Sequence, residues 1–465
     1  MKELCFKDDD NIEYVYNDDT GLIFQNNKEM IQMNLKYYDS LKSEIDKSKE
    51  SSVVKNDTIL KNSVQLIFKM SEACNMRCKY CIYSDYYPKT ADYGSGKMTI
   101  DVAKSAVKIF MERFNSTFQK GNVKLKPVFT FYGGEPLIEY SVIKQIVSFI
   151  KENYHEYNCI FSITTNGLLL NKDIADFLIE NNFLITISLD GNEKINDRNR
   201  VDVNGGGTYS KIFNNIMKYL IDYGNVVIAS CYDYKTPLSE LANFVEKYDR
   251  QNNGIFPHLQ KLTMINDIDT SYYKQFTEED VEFYKKNIND LRKEYIHNAI
   301  NNKKQRIVVH HLIGSEILFL YDRIKFINQS NYCTICSNCT PGEKLYITPT
   351  GDFYICEKVP ENEKYIVGNV SEGININKIN DLITSYNNDI LKKCKNCNIR
   401  RLCSMCFAQT IISDDNKFTI PNEKQACELR KEYITNRLKD MVYIMKNNPS
   451  YFENELNSIV ANHQI

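Results

Sequence analysis

The chain has 465 residues, enough for two or three domains, and 43% of them are hydrophobic, so a sizeable core can be buried. Lys and Arg number 58 against 60 Asp and Glu, a net charge of −2, which argues against a nucleic-acid partner because such binding needs a basic surface. No run of about 20 apolar residues is present to span a membrane, and the N-terminus, Met1 to Asp10, is too polar for a signal peptide, so the chain reads as cytoplasmic with no membrane partner.

In chain order, residues 1–60 form a separate-looking segment. Two short β-prone runs, 13–16 and 22–25, flank an Asn-Asp-Asp-Thr-Gly turn. A helical stretch and a polar run follow. From residue 64 onward, apolar runs at 64–70, 128–132, 160–164, 184–189 and 226–231 alternate with helical stretches near 100–114, 141–154, 171–181 and 208–222. That alternation predicts a parallel sheet with helices outside. About six βα units fit, so residues 61–300 are expected to form an α/β core, a partial (β/α)6 TIM-like barrel. Thr277-Glu-Glu-Asp280 reads as a capping box opening a long helix to about residue 304. A helical connector over 301–329 and a cysteine-rich domain over 330–435, with short strands at 344–348 and 353–356, come next. The tail, 436–465, is predicted as helical and then polar.

Fifteen cysteines in one chain need an explanation, because disulfides are rare in the cytosol and ligation of metals or clusters is the main alternative. They fall at 74–81, 333–356 and 394–427, with Cys5, Cys159 and Cys231 isolated. The last two sit in apolar strand-like runs and read as buried structural thiols.

The first group, Cys74-Asn-Met-Arg-Cys78-Lys-Tyr80-Cys81, follows the first strand. Iron–sulfur clusters normally take four cysteines, so a three-cysteine loop leaves one iron open to a small molecule. The C-terminal ends of strands are where α/β proteins bind ligands. Tyr132-Gly133-Gly134-Glu135-Pro136 ends the second strand, Thr164-Thr165-Asn166-Gly167 the third and Ser188-Leu-Asp190-Gly191 the fourth. Arg200 lies just beyond, in Asn196-Asp-Arg-Asn-Arg200. Each motif alone reads as an ordinary βα turn; their shared place behind the cysteine loop makes a candidate site. His310-His311, in an apolar stretch, reads as packing, and Gly205-Gly-Gly207 reads as a loop.

Together these residues resemble the radical S-adenosylmethionine (SAM) superfamily. The resemblance implies that Cys74, Cys78 and Cys81 hold a [4Fe–4S] cluster whose open iron binds SAM. It also implies that Tyr80, Gly133, Gly134, Glu135, Thr165, Asn166, Ser188 and Asp190 line the SAM pocket, and that Arg200 pairs with the SAM carboxylate, a geometry suited to guanidinium. The family often has His where Asn196 stands. The distal cysteines resemble the SPASM domain of peptide-modifying radical SAM enzymes. By that family's crossed pattern, Cys333, Cys339, Cys356 and Cys406 would hold one auxiliary cluster and Cys394, Cys397, Cys403 and Cys427 another, giving three [4Fe–4S] clusters. Two residues separate Cys403 from Cys406 where the family usually has three. Cys336 is supernumerary: it could replace Cys333, touch substrate or be idle. In isolation, Cys394-x2-Cys397 with Cys403-x2-Cys406 would read as a zinc site. Glu357 follows Cys356, where sulfatase-maturing relatives have an Asp proposed as a base, so it is a candidate catalytic base or a solvated charge.

The function implied is cleavage of SAM to a 5′-deoxyadenosyl radical that takes a hydrogen from a ribosomal, cysteine-rich precursor peptide, with thioether formation as the leading outcome. The alternative is an anaerobic sulfatase-maturing enzyme that makes formylglycine. A non-catalytic iron–sulfur electron-transfer protein is the reading from another class, but it has no need of Gly133-Gly134-Glu135 or Arg200. Flavodoxin or ferredoxin is the expected reductant. The 1–60 segment is a candidate for peptide recognition by strand addition.

Overall fold

A computed structural model describes residues 2–8, 10–50, 63–87, 93–114, 119–120, 123–248, 260–264, 272–323, 341–403, 405–413 and 415–462. Cys333, Cys336 and Cys339 lie outside the described residues. The chain divides into two compact units.

The first unit comprises Asn56–Ile288 and Thr340–Leu382. Six parallel strands lie side by side in chain order: Gln65–Lys69, Val128–Tyr132, Ile160–Thr165, Leu184–Ser188, Val226–Tyr232 and Gln260–Met264. Helices Ile100–Arg113, Tyr140–Asn153, Lys172–Glu180, Tyr209–Tyr219 and Leu238–Tyr248 fall between them. This is the expected α/β partial (β/α)6 barrel. Local chemistry sets the helix starts: the Thr99 hydroxyl accepts from Val102 N and the Asn171 side chain from Ile174 N, each satisfying a free first-turn amide. Ile143, Ile146, Val147 and Ile150 recur at helical spacing and are all buried.

The two faces of the sheet differ. Phe68, Phe129, Phe131, Phe161, Ile163, Ile185 and Ile187 are buried, with Phe129 edge-on to Phe110 of the first helix at 5.3 Å. Each such side chain contributes roughly 1.5–3 kcal/mol by burial. Residues on the opposite face, in register across the strands, are Thr130, Ser162, Thr164, Thr186, Ser188 and Ala229, all half-exposed. Small hydroxyl side chains on a concave face leave room for a ligand that bulky ones would fill.

The sheet extends past the first strand. Lys344–Ile347 pairs with it in parallel, followed by antiparallel Asp352–Tyr354, Ile366–Asn369 and Gly373–Ile374. The strands near 344 and 353, expected in the cysteine-rich domain, belong instead to the barrel sheet. Pairing satisfies the backbone groups that an uncovered first strand would expose.

The second unit comprises Met1–Lys55, Asn289–Cys339 and Ile383–Ile465. The segment expected to stand apart at 1–60 is therefore largely part of a unit that includes the cysteine-rich C-terminal region. Its strands Glu3–Lys7, Glu13–Asn17 and Ile23–Gln25 form an antiparallel sheet, followed by helix Lys28–Glu50. The strand at 3–7, Glu-Leu-Cys-Phe-Lys, has no β-branched residue and does not stand out in the sequence. The long helix Glu278–Ile300, of which the residues to Ile288 belong to the first unit, begins as foreseen: Asp280 N donates to the Thr277 hydroxyl and Thr277 N to the Asp280 carboxylate. The polar tail contains a helix, Tyr451–Asn462, anchored by buried Tyr451 and Phe452. Phe452 stacks on Tyr321 at 4.7 Å.

Asp233, just past the fifth barrel strand, is a hub with 0% exposure. Both Arg198 Nη atoms donate to it at 2.9 and 2.7 Å, as do Asn199 Nδ2 at 3.0 Å and the Tyr272 hydroxyl at 2.8 Å. Burial pushes its pKa up, but the hydrogen bonds and charge of Arg198 prevail and hold it below the usual carboxylate range. Its stabilisation is complete above the ordinary carboxylate pKa and is lost as pH falls through the lower native value. Asp233→Asn should therefore cost about 2 kcal/mol at neutral pH. In denaturant titrations the deficit should shrink toward strong acid.

Candidate active site

The cysteine loop is held by backbone contacts on two sides. On one side Gly134 N donates to Ser71 O at 2.7 Å and Glu135 N to Ala73 O at 3.0 Å. A Cβ on Gly134 would lie 2.3 Å from Ala73 O, and one on Gly133, at φ +128°, 2.7 Å from Ser71 O. The glycine pair thus makes room for the chain's own loop, a close approach closed to other residues. On the other side Arg77 N donates to Val201 O at 2.8 Å and Lys79 N to Asn199 O at 3.0 Å. Arg77 stacks over the Tyr93 ring at 4.4 Å, and the Tyr93 hydroxyl bonds to the Cys81 thiol.

The three thiols are neighbours. Burial raises the Cys74 pKa to about 11, with Glu135 and Cys81 adding to it. Burial pushes Cys78 up to about 12; Arg200 opposes the shift, and Cys81, Asp190 and Cys74 reinforce it. Burial also raises Cys81. Metal-free, these sulfurs are protonated thiols, and ligation would release their protons. Among the described residues no set of three side chains stands in a preassembled metal cage.

Behind the loop lies a buried polar chain. Arg200 Nη1 donates to the Tyr80 hydroxyl at 2.8 Å, and that hydroxyl donates to Asp190 Oδ2 at 2.6 Å. Asp190 Oδ1 accepts from Cys231 N at 3.0 Å. Arg200 is 6% exposed, and its Nε has no hydrogen-bond partner among the described residues. A buried guanidinium with one free donor beside three thiols fits an anionic ligand.

Glu135 has 1% exposure and latches two strand ends together. Oε1 accepts from Leu137 N at 3.0 Å and Thr165 Oγ1 at 2.7 Å; Oε2 accepts from Asn166 N at 2.8 Å. Asn166 reaches the cysteine loop, with Nδ2 donating to Asn75 Oδ1 at 2.7 Å and lying 3.7 Å from Cys74 Sγ. Ser188 faces the concave side. Asn196, at the position of the family's frequent His, receives Asp190 N and donates to Thr208 and Asp197. Sequence reasoning missed Tyr93 and the place of Cys231, in its strand as expected, beside the site. The latter's thiol, raised to about 12 by burial and by Asp190, lies against Tyr80, Arg200 and Cys81. Its place near the C-terminal end of a barrel strand was the available signal.

Glu357 is half-buried, and the Cys356 thiol donates to its Oε2 at 3.3 Å. It also bears electrostatically on Tyr132, at the end of the second strand. In the second unit, Cys394, Cys397, Cys403 and Cys427 are mutual neighbours. Burial first, then Cys397, Cys403 and Cys427, raises Cys394 to about 11.

Residues 68–233 match the model of the radical SAM superfamily. A cysteine-type anaerobic sulfatase-maturating enzyme of Clostridium novyi (strain NT) is 28% identical over 399 residues, 83% of this chain and 98% of that protein. One from Clostridium perfringens (strain ATCC 13124) is 26% identical over 354 residues, covering 73% and 86%. The solved structure of native anSMEcpe with bound AdoMet aligns with a TM-score of 0.59 at 20% identity, over 85% of this chain and 99% of that one. The fold is shared. Residues 68–233 are a radical SAM core, the chain is an enzyme of that chemistry, and SAM and a [4Fe–4S] cluster are the cofactors of that core. The all-thiol donor set and the unpaired Arg200 Nε suit them.

Gly134→Ala would drive a methyl group into the loop backbone. Anaerobic reconstitution of that variant in a background lacking the distal cysteines should recover under about a tenth of the wild-type cluster, read by iron content. Full recovery would show that the close approach is dispensable.

Proposed function

We propose that the enzyme oxidises a cysteine side chain of a protein or peptide substrate to formylglycine, in the manner named for its sulfatase-maturating relatives. Cys74, Cys78 and Cys81 hold the cluster. Arg200 Nε faces the SAM carboxylate, while Tyr80 and Asp190 hold the guanidinium at its angle. Gly133, Gly134, Glu135, Thr165, Asn166 and Ser188 shape the rest of the pocket. When bound, SAM and the reduced cluster supply a 5′-deoxyadenosyl radical that removes a hydrogen atom. Glu357 takes the proton released from the substrate thiol, a role within reach of a half-buried carboxylate at the barrel end. Loss of a hydrogen atom, a proton and an electron leaves a thioaldehyde, which water converts to the aldehyde with release of hydrogen sulfide; Cys394, Cys397, Cys403 and Cys427, and Cys333, Cys339, Cys356 and Cys406, would hold auxiliary [4Fe–4S] clusters that would supply an acceptor for that electron. Flavodoxin or ferredoxin supplies the first one.

The observation that carries this reading is the Clostridium novyi relative, matched over 98% of its own length. Thioether formation would draw on Glu357, standing where sulfatase-maturing relatives have Asp, and on the N-terminal segment as a peptide-recognition module. The comparisons favour formylglycine formation. Thioether formation keeps one specific support, the longer side chain of Glu357.

The test uses reconstituted, reduced enzyme with SAM and a peptide carrying a cysteine-type sulfatase motif. Mass spectrometry should find CH2SH replaced by CHO, with 5′-deoxyadenosine formed alongside. A product lighter by two hydrogens and retaining sulfur would favour the thioether. Glu357→Gln should lower peptide turnover by about 100-fold while 5′-deoxyadenosine still forms.

A further inference from the structure

We propose that the N-terminal hairpin is a built-in cradle for the loop that carries the second auxiliary cluster, with Asp18 as its positioning residue. This rests on the reading that Cys394, Cys397, Cys403 and Cys427 bind a [4Fe–4S] cluster.

The turn Asn17-Asp18-Asp19-Thr20-Gly21 is an unusual surface for a hairpin, because its polar side chains are inside. Asn17, Asp18 and Thr20 are 0%, 2% and 0% exposed. Asn17 Oδ1 organises the turn, accepting from Asp19 N at 3.1 Å and Thr20 N at 3.0 Å. Burying such groups costs free energy unless each is paired, so the partners show what the turn is for. The Asp18 carboxylate accepts from the Tyr16 hydroxyl at 3.0 Å and from Arg401 N at 2.9 Å. Arg401 Nη1 reaches Asp19 O at 3.4 Å, and Asn398 Nδ2 donates to Glu3 O at 3.0 Å. Arg323 braces the turn from beneath, with Nη2 donating to Gly21 O at 2.6 Å and the guanidinium over the Tyr16 ring.

The contacted residues lie inside the ligand loop. Asn398 is adjacent to Cys397, and Arg401 stands two residues before Cys403. Ile399 and Leu402 between them are buried, at 2% and 6% exposure. Within the 398–402 loop, Leu402 N closes onto Ile399 O at 3.0 Å. The hairpin supplies three more hydrogen bonds, one of them to a buried carboxylate. Holding the backbone on both sides of this span fixes the separation of Cys397 from Cys403 before any iron arrives. Outer partners of this kind orient ligands, and their loss typically weakens metal binding by about 10–100-fold.

The experiment uses the full chain carrying Cys74→Ala, Cys78→Ala and Cys81→Ala, so that remaining iron reports the auxiliary sites alone. Asp18→Ala in that background should lose about half of the reconstituted iron, one cluster of about four irons. Asp18→Asn, which keeps an acceptor for Arg401 N and the Tyr16 hydroxyl, should retain most of it. Asn398→Ala, which removes a half-buried side chain bonded to Glu3 O, should speed iron loss to a chelator about 10-fold with an unchanged circular dichroism spectrum. Full iron in Asp18→Ala together with unchanged chelator kinetics in Asn398→Ala would overturn the proposal. A Cys403→Ser control separates the two levels: if it too keeps all its iron, the cluster reading fails; if it loses one cluster and the hairpin variants lose none, the cradle fails.

Discussion

One backbone contact organises the catalytic end of the barrel. The chain at Ser71–Ala73 runs so close to Gly133 and Gly134 that no side-chain carbon fits between them. That approach seats the cysteine loop on the second strand, and the opposite edge of the loop is tied to Asn199 and Val201. Three thiols, the latch at Glu135 and the guanidinium of Arg200 all take their places from this clamp. A loop free to swing would not keep sulfurs and guanidinium in register, and positioning is most of what a protein contributes to cofactor chemistry.

Around the clamp, charge is handled by pairing rather than by solvent. Arg200, Tyr80 and Asp190 form one buried chain, and Arg198 and Asp233 form another on the same short segment. Leaving one partner of such a pair alone in a dry interior is costly, so these pairs also hold the segment after the fourth strand in a single conformation. The consequence for function is a guanidinium whose remaining Nε donor has its direction fixed before a ligand enters. The second unit follows the same logic at Asp18, where a buried carboxylate orders a loop of thiols.

Much of this was legible in the sequence. The βα alternation gave the barrel, because β-branched runs and helical periodicity are local properties. The strand-end motifs located the site, because parallel sheets bring every strand's C-terminal end to one rim. What could not be read was the partner of each residue. Nothing local reveals that Gly133 and Gly134 face the cysteine loop, that Asp190 is engaged by Tyr80, or that Cys231 sits among the site residues. The strand at 344–347 read as part of the cysteine-rich domain, yet it pairs with Gln65–Lys69 far back in the chain. The N-terminal hairpin read as free-standing for the same reason, since Asp18 and Arg401 are 383 residues apart. Long-range pairing is set by packing, and a single sequence does not display it.

The central claim is that the clamped loop and the free edge of Arg200 form one SAM site. The most direct measurement is a SAM titration followed by electron paramagnetic resonance of the reduced cluster, in protein lacking the distal cysteines. SAM should shift the signal to saturation in the parent protein. With Arg200→Gln, compared at equal cluster loading, the shift should need about 100-fold more SAM. An unchanged signal in the parent protein, or an identical titration in the variant, would contradict the account.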